Sequence, residues 1–224
     1  MDDQDLFATI RNSLFTSVIG DVMDAAGLTR QFLPYEIRAM ESDAVVVGRA
    51  MTVLEADCAG EMVAHSGRAE PFGLMFRALD DLKSGEIYIC TGASRRYALW
   101  GELMSARAMA LGGVAAVLDG LHRDTRGIRR LGFPVFSVGA YGQDQRMRGR
   151  VVDYRCTIEF GNGVVVKPGD IIVGDADGVL TIPKDAAGDI VQAALRKVQG
   201  EDSIRDRILD GASAEKMFEE TGIM

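Results

Sequence analysis

Residues 98 to 139 read ALWGELMSARAMALGGVAAVLDGLHRDTRGIRRLGFPVFSVG, and this stretch decides the fold. Leu103, Ala106, Ala110 and Leu111 recur at helical spacing after Gly101, and Gly112-Gly113 stop that helix. The apolar run Val114 to Leu118 is a buried strand, ending in Asp119-Gly120. Leu121-His122-Arg123-Asp124 then places charges where a strand spills into a loop. Ile128 and Leu131 predict a short helix, and Phe133 to Val138 a further strand. In open α/β sheets, sites gather outside the carboxyl ends of strands. Arg123 and Asp124 sit at such an end, and Gly101-Glu102 opens a helix whose free N–H groups suit an anion. An anion cradle, a cation and a carboxylate therefore share one neighbourhood.

Working outward, residues from about 4 to 14 form an amphipathic helix through Leu6, Ile10 and Leu14. Ser17 is the expected cap of a second helix that Gly27 ends. Ala44 to Val47 and Ala50 to Leu54 flank Gly48-Arg49 as a bent strand or a hairpin. Phe76, Leu79 and Leu82 are helical, and Ile87 to Cys90 is a strand. Cys58 to Gly73 reads as loop, and Tyr141 to Arg150 as a polar, basic surface loop. Short strands follow at Val151-Val152, Thr157 to Phe160, Gly163 to Val166, Asp170 to Val173 and Gly178 to Ile182. Ile190, Val191, Ala194, Leu195 and Val198 make an amphipathic helix, and weaker ones carry Ile204, Ile208, Met217 and Phe218. The pattern is α/β with mixed sheets and flanking helices. No linker or break in composition divides residues 1–224, so a single domain is expected, with a helical tail from about residue 184.

The 25 basic and 33 acidic residues give a net charge of −8, which disfavours nucleic acid and anionic membrane as partners. Cys58, Cys90 and Cys156 are odd in number and widely spaced, as for free thiols in a reducing cytoplasm. The acidic amino terminus lacks the apolar region of a signal peptide, and no apolar run approaches the ~20 residues of a membrane span. A soluble cytoplasmic protein is the expectation. Gly161-Asn-Gly163 has no third glycine at Val166 and reads as a hairpin turn, not a dinucleotide loop. Asp175-Ala-Asp177-Gly178 places its glycine too early for a calcium loop and reads as a strand-connecting turn. His65 and His122 are the only histidines, which argues against a multi-histidine zinc site. His122, beside Arg123, is a candidate acid or base, although alternation can equally turn it from the cleft.

G-E-L at a helix start, then G-G-V-x-x-V-x-D-G-x-x-R-D, then F-P-V-F, resembles the RraA-like family. The resemblance extends to Thr16 to Val18, Asp24-Ala25, Gly48 to Val53, Gly85 to Ile87, Lys167 to Asp170 and Asp175 to Val179. It implies the swivelling β/β/α fold, assembled as a homotrimer or a dimer of trimers. It also implies a lyase that cleaves a C–C bond of a small 2-oxo acid to release pyruvate, as a class II 4-hydroxy-4-methyl-2-oxoglutarate aldolase or an oxaloacetate decarboxylase. The family's other activity is regulatory, binding a ribonuclease through protein contacts, so a protein partner is the alternative expectation.

Such a lyase needs a sink for enolate charge. A Schiff-base lysine is disfavoured, because Lys83, Lys167, Lys184, Lys197 and Lys216 mostly fall in turns or charged helix faces. Mg²⁺, Mn²⁺ or another divalent metal fits better. By resemblance Asp124 anchors the metal, directly or through water, and Arg123 faces the 2-oxo oxygen. Gly101, Glu102, Leu103 and Met104 form the carboxylate-binding helix start, with Glu102 either in the metal shell or simply an acid favoured at a helix N-terminus. Glu201, read alone, is a first-turn acid after a helix break at Gly200. The resemblance instead brings it from the adjacent subunit, toward the water that protonates the enolate. His65 to Gly73 and Tyr141 to Arg150 are candidates to surround the rest of the substrate.

Overall fold

The computed structural model describes residues 3–60 and 70–222. Two helices open the chain, α1 (Asp3–Ser13) and α2 (Thr16–Ala25), burying Leu6, Ile10, Val18, Ile19 and Met23. Ser17 is not the cap of α2, whose first residue is Thr16. A long-range partner takes that duty: the Asp175 carboxylate accepts from the Thr16 N–H and hydroxyl, each at 2.7 Å. It also accepts from the Asp177 N–H at 3.0 Å, so the Asp-Ala-Asp-Gly sequence is a strand-connecting turn, as expected.

After β1 (Arg38–Ala39) comes β2 (Val46–Asp57), one strand through Gly48-Arg49 and not a hairpin. Its middle is buried on both faces, as its aliphatic run requires. Next come α3 (Met75–Asp80), β3 (Glu86–Thr91), β4 (Ala98–Trp100) and α4 (Glu102–Ala110). The order then repeats with β5 (Ala115–Leu118), β6 (Leu121–His122) and α5 (Thr125–Leu131), and partly with β7 (Val135–Ser137) and β8 (Gly139–Ala140). Thus β3, β5 and β7 lie parallel in the main sheet, while β4, β6 and β8 form a small parallel sheet of their own. Parallel neighbours need a crossover, and each here leaves the main sheet, adds a strand to the small one and returns through a helix. This repeated strand–strand–helix unit is the swivelling β/β/α architecture.

The chain continues with β9 (Gly149–Tyr154), β10 (Ile158–Glu159) and β11 (Val165–Val166), the last two a hairpin around Gly161-Asn-Gly163. Then β12 (Ile171–Asp175) and β13 (Gly178–Ile182) pair antiparallel and extend the main sheet, whose order is β1-β7-β5-β3-β2-β12-β13. The Leu33 N–H donates to Val179 and the Thr181 N–H to Gln31, drawing the chain before β1 onto β13 and nearly closing the sheet. The helices α6 (Ala187–Leu209) and α7 (Ala214–Thr221) end the chain. No break occurs at Gly200: α6 runs through it, so Glu201 is not a first-turn acid. Buried Ile190, Val191, Ala194 and Ile204 continue the apolar stripe across the glycine, and this packing holds the helix together.

Both helical groups pack on the outer face of the nearly closed sheet, and its inner face packs Ala50, Ile87, Val117, Phe136 and Ile172 together. Helices α1, α2 and α6 pack Ile10, Ile19 and Val191 on Val47, Leu180 and Ile182. Helices α3, α4 and α5 pack against Tyr88, Trp100 and Leu118. Among the described residues no helix is long and apolar enough to cross a membrane, and all three cysteines are free.

Asp175 makes a testable anchor. Asp175→Ala strands buried donors at Thr16 and should lower urea-unfolding stability by about 2–4 kcal/mol. Asp21→Ala, which removes only an exposed pair with Lys197, should change it by under about 1 kcal/mol.

Candidate functional site

The small sheet builds the site. Its parallel strands β4, β6 and β8 end at Trp100, His122 and Ala140, and all three chains leave in the same direction. The residues that follow are Gly101-Glu102, Arg123-Asp124 and, a few positions on, Asp144-Gln145. Leu121-His122 is a strand separate from β5, so Arg123 and Asp124 stand at the end of the second sheet, not of the Val114–Leu118 strand. Between these ends lies a cleft of about 230 Å³, lined by Gly101, Leu103, Met104, Arg123, Asp124 and Asp144 among others.

Trp100 sets the start of α4. Its ring is buried, stacked 6.0 Å from Phe133 and tilted 4.9 Å from Tyr88. Its indole N–H donates to the Ser105 hydroxyl at 2.7 Å, which in turn donates to the Gly101 carbonyl at 3.2 Å. Ser105 and Ala108 therefore face inward, and Leu103, which heads the expected apolar stripe, is 84% exposed. The N–H groups of Leu103 and Met104, in the first turn, have no intrahelical acceptor, and both residues line the cleft.

Asp124 occupies the left-handed region at φ 58°, a conformation that aspartate tolerates better than most residues. Its carbonyl accepts from Gly127 and Ile128 to start α5. The turn swings its carboxylate over Gly101, where an added Cβ would lie 2.6 Å from Asp124 Oδ2. That oxygen sits 3.3 Å from the Glu102 N–H and 3.7 Å from Arg123 Nε. Arg123 Nη1 reaches Asp144 Oδ1 at 2.9 Å. The structure thus brings Gly101, Leu103, Met104, Arg123 and Asp124 together.

Other expected residues stand elsewhere. The Glu102 side chain leaves the cleft, lying over Gly127, where an added Cβ would meet it at 2.3 Å, and 3.6 Å from Arg130. His122 is buried with both ring nitrogens engaged, Nδ1 with the Ser137 hydroxyl at 2.7 Å and Nε2 with the Thr125 hydroxyl at 3.1 Å. Burial, then the Arg129 charge, lowers its pKa. Glu201 lies on α6, 3.8 Å from Lys197, which holds Asp21; none of these lines the cleft. His65 and Arg68 lie outside the described residues.

Asp144 and Gln145 fall in the Tyr141 to Arg150 stretch expected around the substrate and line the cleft, while Glu55 is an addition. The stretch Tyr141 to Arg150 is not all surface: Gln145 is buried, and its amide donates to Glu55 Oε2 at 2.7 Å. Glu55 follows a β-bulge in β2, the kind of irregularity that re-aims a side chain. A lone acid inside the aliphatic run Thr52 to Ala56 is the signal that could have found it. Burial lifts its pKa to about 8, only partly opposed by the Gln145 amide, so it is mostly protonated near neutrality.

With the folded pKa above the unfolded one, Glu55's favourable contribution is complete below about pH 4.5 and is lost as pH rises through about 8. Glu55→Gln should therefore gain on the natural chain between those limits, by at most about 1.4 kcal/mol per pH unit. Urea unfolding of both proteins across this range checks it; a pH-independent difference would show Glu55 to be ionised when folded.

Comparison with known proteins follows the same lines. The RraA-like family model, described as Aldolase/RraA, matches residues 16–181. A Halalkalibacterium halodurans protein named "Putative 4-hydroxy-4-methyl-2-oxoglutarate aldolase" is 32% identical over 205 residues, covering 91% of this chain and 88% of that one. Protein DlpA of Legionella pneumophila is 27% identical over 90% of this chain, which spans 31% of DlpA's length. The crystal structure of Streptomyces coelicolor RraAS2, described as an unusual member of the RNase ES inhibitor RraA protein family, superposes with a TM-score of 0.78. It shares 21% identity over 91% of this chain and 97% of its own, and so bears on the fold.

Proposed function

Because the chain belongs to the RraA-like family, we propose that it is a divalent-metal-dependent carbon–carbon lyase releasing pyruvate from a 2-oxo acid. The type reactions are cleavage of a 4-hydroxy-2-oxo acid, as in the name of the Halalkalibacterium relative, and decarboxylation of oxaloacetate. One observation carries the reading: unpaired helix N–H groups, a guanidinium and a half-exposed carboxylate converge on one cleft at the ends of β4 and β6.

The residues fit a hard cation. Asp124 presents a half-exposed carboxylate to the cleft, brought there because Gly101 has no side chain to hold it off. Mg²⁺ takes one or two protein carboxylates and keeps several waters, and no group of three or more acids, histidines or cysteines assembles among the described residues. Asp124 would hold the ion, and Mg²⁺ or Mn²⁺ supplies Lewis acidity to the 2-oxo group.

The chain's own groups do the rest. The N–H groups of Leu103 and Met104 bind the carboxylate next to the oxo group, aided by the positive end of α4. As the C3–C4 bond breaks, the 4-hydroxyl of an aldol substrate gives its proton to water and C4 leaves as a carbonyl, while C4 of oxaloacetate leaves as CO2. In both, the electron pair passes through C3 to the 2-oxo oxygen, where Arg123 stabilises the developing charge. Asp144 holds the guanidinium in place. C3 must then take up a proton. Glu201 is distant from the cleft in its own chain, so we assign it to the cleft of a neighbouring copy in a homotrimer, positioning the water that delivers this proton.

A pyruvate-release assay with oxaloacetate and 4-hydroxy-2-oxo acids should show turnover that EDTA abolishes and Mg²⁺ or Mn²⁺ restores. Asp124→Asn should lose the metal-dependent rate while melting unchanged in EDTA. Full turnover by that variant without metal would end this reading. Arg123→Lys keeps the charge but loses the planar fork, and kcat should fall by about 10²–10³; a change confined to KM would reduce Arg123 to a binding group.

The shared site has its own check. Arg123→Ala and Glu201→Ala should each be impaired, and co-refolding the two should restore activity at clefts that draw both natural residues. Verified mixed assemblies no more active than their parents would remove Glu201 from the chemistry.

A further inference from the structure

Away from Arg123 and Asp124 the cleft changes character. Phe72, Phe76, Leu99, Leu103 and Met104 line it, supplied largely by α3, α4 and the chain before each. The Phe72 and Phe76 rings meet edge to face with centroids 5.6 Å apart. Phe76 is 54% exposed and Leu103 84% exposed, so this wall presents hydrocarbon to whatever enters.

The polar inventory is small. Among the described residues lining the cleft, Arg123 is the only cation, and it already faces Asp144 at 2.9 Å and Asp124 at 3.7 Å. The Gln145 amide nitrogen is committed to Glu55. The helix N–H groups and Arg123 provide for one carboxylate and one oxo group. Of the described residues, those at the far end of the cleft offer a second carboxylate hydrocarbon and two acids, and no donor for the hydration it loses.

We propose that this wall is a subsite for an apolar substituent of aromatic size at the far end of the 2-oxo acid. The natural substrate then carries a hydrocarbon tail there, unlike the dicarboxylate in the relative's name. The assignment rests on the reading of the cleft as a 2-oxo acid site, and its test therefore uses binding instead of turnover.

Calorimetry of the full chain with Mg²⁺ compares 2-oxo-4-phenylbutanoate with 2-oxoglutarate. The two differ only in a phenyl or carboxylate end, and neither has the 4-hydroxyl or β-carboxylate that cleavage requires. The phenyl ligand should bind about tenfold or more tightly, the scale on which hydrophobic pockets discriminate. Phe76→Arg and Leu103→Arg, at exposed positions that the core does not need, should each shift the ratio toward 2-oxoglutarate. Equal affinities, tighter 2-oxoglutarate, binding of neither ligand, or an unchanged ratio in both variants would each overturn the subsite. So would dissociation of an oligomer by both variants, seen by light scattering, with the ligand ratio unmoved, since the wall would then be an interface between copies. Tight phenyl binding without pyruvate from any substrate would sustain the subsite and reject the lyase.

Discussion

The site depends on how closely the Asp124 carboxylate approaches the backbone of Gly101. Two successive strand–strand–helix units meet there, the first turning from β4 into α4 and the second from β6 into α5. The turn at Gly101 has room for hydrogen alone on the side facing Asp124 Oδ2. The same crowding recurs where Gly127, in α5, lies under the Glu102 side chain. Each unit thus carries a glycine beneath an acid of the other. The buried Trp100 ring and its bond to Ser105 hold the first unit to the core, so the charged groups at the mouth stand on rigid supports.

Much of this was legible in the chain. Strands β3 and β5 follow from short aliphatic runs, helix α4 from its spacing and glycine stop, and the two late turns from glycine and acid placement. Arg123, Asp124 and the α4 start come together because they follow β4 and β6 of the small sheet, strands of three and two residues that the aliphatic runs do not reveal. Strand-end reasoning reached this corner from β5 instead. The face of α4 was not legible. Alanine and leucine spacing suggested one stripe, but an indole–hydroxyl bond to Ser105 rotates the helix onto another and leaves Leu103 outside.

Long-range polar contacts were hidden for a similar reason. Asp144 and Gln145 belong to a basic, glycine-containing segment, and nothing local reveals that they pair with Arg123 and Glu55. Gly200 shows the opposite error: a strong local helix breaker is overridden by buried neighbours on both sides. The family resemblance supplied the topology that periodicity lacked. The stretch His65 to Gly73, expected around the substrate, contributes Phe72 to the wall, but the apolar character of the wall and the buried acid behind Gln145 came only from the fold.

The left-handed turn at Asp124 also bears on how such a protein can change its occupation. Asparagine shares with aspartate both the size and the tolerance for that backbone conformation, and their codons differ by a single nucleotide. The charge at this corner can therefore vanish from a lineage while the helix start, the turn and the outer surface keep their shape. Charge and scaffold are separable here by the smallest possible genetic step. A family whose description joins aldolase and RraA is what such a loosely coupled design permits.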